Sequence, residues 1–175
     1  MTRSHPATEG DEMRYSEYPR AERVLLHLSD THLRAGGAPL YGTVDSEAYL
    51  AAAVAAIEAS GVRPDALVFT GDLADFGEGD AYARIRTLVD PLAARLSAPV
   101  VWVMGNHDDR ATFRAHLLPD DVAGPSAPVD RVDEFDGLRI VTLDTTVPGR
   151  HHGEVGDAQR AWLADVLATP APLGT

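Results

Sequence analysis

Val100-Val101-Trp102-Val103-Met104-Gly105-Asn106-His107-Asp108 is the stretch on which the fold turns: an apolar run, a glycine, then side chains able to bind a hard or borderline cation. The run is short and has no helical period, so it reads as a buried strand over Val100–Met104 with a polar motif at its carboxyl end. The same arrangement occurs twice upstream. Val24–Ser29 (VLLHLS) leads into Asp30-Thr31-His32, and Ala66–Thr70 (ALVFT) leads into Gly71-Asp72.

The segments between these runs read as helices. Asp45-Ser46 can cap a helix through the alanine-rich stretch to about Ser60, with Gly61 as its stop. A second helix is expected from Asp80 to about Leu96, with a kink or break at Pro91. Thr112–Leu118 can form a short helix, and Asp120–Pro128 is a loop by its Pro, Gly and Asp content. Arg131–Phe135 and Leu138–Leu143 flank Asp136-Gly137, a hairpin signal, and a last helix runs from about Asp157 to Ala168. Strands alternating with helices indicate βαβ units, a mostly parallel sheet and an α/β fold. In such sheets ligands bind at the carboxyl ends of the strands, where all three motifs sit.

Composition narrows the function. A chain of 175 residues at 45% apolar can bury a core as one domain or as part of a larger one. No apolar run approaches the roughly 18 residues of a membrane-spanning helix. The amino terminus carries no signal-peptide pattern. Residues 1–20 are polar and read as a flexible leader, leaving 21–175 as domain. With no cysteine, disulfides and thiolate metal sites are excluded, which suits a cytoplasmic protein. A formal charge of −12 argues against nucleic acid as a partner, because phosphate contacts need Lys and Arg. Any phosphate bound here needs a local positive charge, which a metal pair would supply.

Each motif has a bland alternative. Asp30 and His32 would point the same way on extended backbone and grip one ion; otherwise they are a turn with a solvated histidine. Asp72 either caps the next element or, with two carboxylate oxygens, bridges two cations about 3.5–4 Å apart. Asn106 is a neutral oxygen ligand that leaves net positive charge for an anionic substrate, or else a left-handed turn residue. His107 can be a ligand, an acid or a donor to phosphate. His27 reads as a core histidine, His116 as a helix residue away from the edge, and His151 and His152 as solvated loop residues. Asp144 reads as a carboxylate that orients backbone, and Asp75, Glu78 and Asp80 as a solvated loop and helix cap. No glycine-rich phosphate loop and no serine nucleophile elbow is present.

In that order, Asp30-x-His32, Gly71-Asp72 and Gly105-Asn106-His107-Asp108 resemble the calcineurin-like metallophosphoesterases over about Arg23 to Ala168. Leu40-Tyr41-Gly42, Asp109-Arg110 and the stretch from Leu143-Asp144-Thr145 through His152-Gly153-Glu154 to Trp162-Leu163 resemble more narrowly the bacterial class III cyclic nucleotide phosphodiesterases. The resemblance implies a four-layer αββα sandwich and a dinuclear centre of two transition metal ions, iron with manganese or two irons. It implies that Asp30 and His32 bind the first metal, Asp72 bridges, and Asn106 binds the second. His107 would contact the phosphate and assist the leaving group, with His32 and Asn106 also facing the substrate. The activity implied is metal-dependent hydrolysis of a 3′,5′-cyclic nucleotide such as cAMP to the 5′-monophosphate. The alternatives are another phosphodiester or phosphomonoester, or a truncated, non-catalytic binding product. A homodimer is also implied. The family supplies three further histidines downstream, two of them in Gly-His-x-His, and neither pattern occurs here. The sequence is therefore expected to be the amino-terminal portion of a longer enzyme, with the carboxyl-terminal part of the sandwich missing.

Overall fold

The structure, a computed structural model, describes residues 21–175, so the leader expected over 1–20 lies outside it. Strands β1 (Leu25–Ser29), β2 (Ala66–Thr70) and β3 (Val100–Val103) form a parallel sheet in the order β1-β2-β3. Ser29 pairs with Thr70 and Thr70 with Val103, so the three strands end level and their motifs begin side by side. This α/β arrangement is the expected class.

Helix α1 (Ser46–Ser60) crosses from β1 to β2, and α2 (Gly79–Leu96) from β2 to β3. The Asp45 carboxylate accepts from Ala48 N at 2.9 Å, and Gly61 closes α1 at φ 69°. Helix α2 buries Tyr82, Ile85, Val89, Leu92 and Leu96, a spacing of three and four that lays one stripe on the sheet. It runs through Pro91 without the expected break. Pro91 lies on the exposed face, where water can satisfy the carbonyl its missing N–H leaves open, while the buried stripe holds the helix on both sides of it.

Helix α3 (Arg110–Leu117) starts at the Asp109 carboxylate, which accepts from Thr112 N and Oγ1. Phe113 of α3 meets Tyr82 edge-on at 5.8 Å, and Phe69 of β2 lies 4.9 Å from Trp102 of β3. Burying each such ring contributes about 1.5–3 kcal/mol. Strands β4 (Arg131–Phe135) and β5 (Leu138–Thr142) form a separate antiparallel hairpin. Its turn residues Asp136 and Gly137 have φ of 45° and 91°, as a two-residue hairpin needs. Helix α4 (Asp157–Leu167) is the last element, and the segment after it returns to the hairpin, where Leu173 N donates to Gly137 O and Arg139 N to Gly174 O.

Strand β1 departs from the reading of runs buried on both faces. Its residues alternate between exposed and half-buried, and Leu25 is 44% exposed. His27 is likewise exposed and reaches Thr70 Oγ1 at 2.5 Å, so it is not a core histidine. An apolar run shows that burial is possible, but coverage depends on what packs over the strand. Among the described residues, little covers the outer face of β1.

Candidate metal centre

Beyond their last paired residues, the β1 and β2 segments continue side by side. Asp30 N donates to Gly71 O at 3.1 Å, His32 N to Asp72 O at 2.9 Å, and Leu33 N to Leu73 O at 3.0 Å. Leu33, Leu73 and Ala74 are sealed in the core at 0–1% exposure, which anchors both turns. The backbone here is not extended, so of the two alternatives the turn is the one formed. Asp30, His32 and Asp72 have φ of 54°, 42° and 51°, left-handed values that cost L-residues energy and gather at functional sites. Asp30 and His32 still converge, because both residues turn left-handed rather than because side chains alternate along a strand. His32 Nε2 lies 4.0 Å from Asp30 Oδ1 and 3.8 Å from Asp72 Oδ2.

The third motif joins through Asp72. Gly105 sits against it so closely that a Cβ there would overlap the Asp72 carboxylate and amide. His107 N donates to Asp72 Oδ1 at 3.0 Å, leaving Oδ2 toward His32. One carboxylate thus stands between the first and third motifs. Asn106 is exposed in the turn that follows Gly105, with φ outside the left-handed region, so left-handed geometry is not what calls for an asparagine there. The Asp108 carboxylate accepts from Leu73 N, Ala74 N, Gly105 N and the Tyr82 hydroxyl, bracing the second and third turns from beneath. Burial raises its pKa against these hydrogen bonds.

Asp75, read from the sequence as solvated, is 6% exposed. Its Oδ1 lies 3.2 Å from His32 Nδ1, and its carbonyl oxygen lies 2.9 Å from His107 Nδ1. Both partners are acceptors, so both Nδ1 atoms carry the proton. That leaves Nε2 of each ring with its lone pair free in the neutral form. The two rings stand edge-on, 4.9 Å apart. Nothing in the local pattern distinguishes Asp75 from a surface acid; its proximity to two imidazoles appears only when the turns fold together. Glu78 stands at the N-cap of α2 and Asp80 in its first turn, but Glu78 makes no side-chain cap to the helix. They accept from Phe76 N and Gly36 N respectively.

The loop closed by the Thr146–Gly153 bridge delivers His151 to the same edge, with Nδ1 3.3 Å from Asn106 Nδ2 and its ring 6.3 Å from His107. His151 is exposed, as read, yet it borders the site. His152 pairs with Glu154 in solvent, and His116 packs by Tyr82 on α3. Asp144, at 2% exposure, orients backbone as expected by accepting from Val129 N and Thr146 N, and it pairs with Arg110 at 2.6 Å.

The donor set fits a cation. Asp30, His32 and Asp72 offer ligand atoms within 4.8 Å of one another, as do His32, Asp75 and His107. Donors held at about 2.1 Å from one ion lie at most about 4.2 Å apart, and the 3.8 and 4.0 Å separations about His32 Nε2 fall inside that limit. Oxygen and imidazole donors without thiolate suit hard or borderline divalent ions.

Residues 23–174 match the calcineurin-like phosphoesterase family, and the chain belongs to it. It is 58% identical over 163 residues to a cAMP/cGMP dual specificity phosphodiesterase of Mycobacterium tuberculosis (strain CDC 1551 / Oshkosh), covering 93% of this chain and 51% of that protein. It is 54% identical over 163 residues to a protein of Rhodococcus erythropolis named "Probable cyclic nucleotide phosphodiesterase", covering 93% and 53%. A glycerophosphodiester phosphodiesterase of Enterobacter lignolyticus is 33% identical over 148 residues, covering 83% and 51%. The chain spans about half the length of these curated relatives.

Proposed function

We propose that the protein is a metal-dependent hydrolase that opens 3′,5′-cyclic nucleotides, cAMP foremost, to the 5′-monophosphate. The observation that carries this is the convergence of Asp30, His32 and Asp72 with the Asn106-His107 turn at one sheet edge. The match to a dual specificity phosphodiesterase over 93% of the chain supports the substrate class. Asp30 and His32 would hold a first ion, Asp72 would bridge and Asn106 would hold a second, with iron and manganese as the pair we favour. When bound, such ions supply positive charge for the phosphoryl oxygens and lower the pKa of water toward about 7.

The chain's own residues do the rest. Asp75 holds His32 in the tautomer whose Nε2 faces the carboxylates, and its carbonyl orients His107. When protonated at Nε2, His107 can donate to a phosphoryl oxygen or to the departing ribose oxygen. His32 and Asn106 line the same face of the substrate. We place the enzyme in the cytoplasm as a homodimer, the latter to be read by light scattering on the complete protein.

The test is turnover of cAMP and metal content in the complete protein and its Asn106→Ala variant. Unchanged turnover and metal content would remove Asn106 from the site. The Enterobacter relative favours a second reading, hydrolysis of glycerophosphodiesters. A glycerophosphodiester turned over faster than cAMP would select it.

A further inference from the structure

A cavity of about 290 Å3 opens beside Asn106, between the turn that starts α3, the Pro125-Ser126 segment and the Thr146–Gly149 loop. We propose that it is the subsite for the nucleoside of the substrate, an inference that rests on the phosphodiesterase reading above.

Its position follows from one buried network. Arg110, in the first turn of α3, pairs through Nε with Asp144 at 2.6 Å and donates through Nη2 to Thr146 O at 2.7 Å. Asp144 in turn accepts from Thr146 N and Oγ1. This fastens the Thr146 loop across from the Asn106 turn, so the gap between them is a feature of the packing. Asn106, where the phosphate would lie, is one of the residues that line the gap, and it is exposed.

The lining suits a neutral, amphipathic group better than more phosphate. Asp109 lies along the wall with one oxygen committed to Thr112, and it would repel a second anion. Its other oxygen can accept from a sugar hydroxyl or an exocyclic amine. The Ser126 hydroxyl and the Arg110 guanidinium, whose Nη1 has only a long 3.4 Å contact to Ser126 O, can donate to ring nitrogens. Pro125, Val147 and Pro148 give the apolar surface that a planar base needs. The volume lies at the lower end of small-molecule pockets, about 300 Å3 and upward. That is room for a nucleoside and more than a glycerol arm would fill.

The experiment uses the complete protein and two variants that add bulk to opposite walls, Ala111→Leu and Ser126→Phe. Hydrolysis of bis-(p-nitrophenyl) phosphate is inhibited with adenosine 5′-monophosphate and, separately, with inorganic phosphate. In both variants the inhibition constant for the nucleotide should rise about tenfold or more while that for phosphate stays within about twofold. An unchanged nucleotide constant, or equal weakening of both inhibitors, would overturn the subsite. Failure of the unmodified protein to open cAMP would instead overturn the phosphodiesterase reading, and the inhibition constants would still report on the cavity.

Discussion

At the scale of single residues, the site depends on contacts with no slack. Gly105 leaves no room for a methyl group against Asp72, so Gly105→Ala should displace the carboxylate between the first and third motifs. The expected result is about 1–3 kcal/mol of lost stability and loss of bound metal, read by denaturant unfolding and elemental analysis. Asp75 holds two histidines at once, and Asp75→Ala should lower metal affinity about 10- to 100-fold, as removal of such orienting partners does. Calorimetric titration with Mn2+ would show it, and unchanged affinity would mean that packing alone holds His32. These two residues differ in legibility. Gly105 could be read as part of a motif, whereas Asp75 could not. Its role comes from a carboxylate and a carbonyl of one residue reaching rings 43 and 32 positions away in sequence.

Among the elements, most boundaries were legible because local chemistry sets them. Asp45 and Gly61 bound α1, and Asp136-Gly137 turns the hairpin, each by a conformation or hydrogen bond available within a few residues. Asp45→Ala should therefore cost about 1 kcal/mol, seen as a lower melting temperature. A break at Pro91 and a fully buried β1 do not occur, because each depends on what faces the element across space. The Arg110–Asp144 pair belongs to this scale too, since it ties α3 to the end of the hairpin. Burial opposes the Asp144 charge, but the Arg110 guanidinium, the Thr146 hydroxyl and two backbone amides outweigh it, and its pKa sits below the ordinary carboxylate value. A depressed folded-state pKa stabilises above the unfolded value near 3.9 and fades as pH falls through the folded value. Asp144→Asn should thus cost about 3 kcal/mol at pH 7, and the gap to the unmodified protein should close below about pH 4. A gap independent of pH would show that shape, not charge, carries the pair.

For the molecule as a whole, the described chain closes its core over both faces of β2 and β3 and leaves β1 and several outlying apolar side chains exposed. Leu25, Val132, Leu167 and Leu173 are between 38% and 49% exposed, and β1 is an unpaired edge. The 175-residue chain alone should bind a hydrophobic dye and self-associate under light scattering. A monodisperse monomer that unfolds cooperatively would contradict this. The left-handed turns at Asp30, His32 and Asp72 carry a different consequence. Their conformational cost is met when the chain folds, before any ion arrives, because the backbone bonds from Asp30, His32 and Leu33 hold them. Loading should therefore be fast, governed by how quickly an ion sheds its water and little by rearrangement of the polypeptide. Slowly exchanging ions such as Ni2+ should enter far more slowly than Mn2+ at matched concentration, with no lag that scales with chain motion.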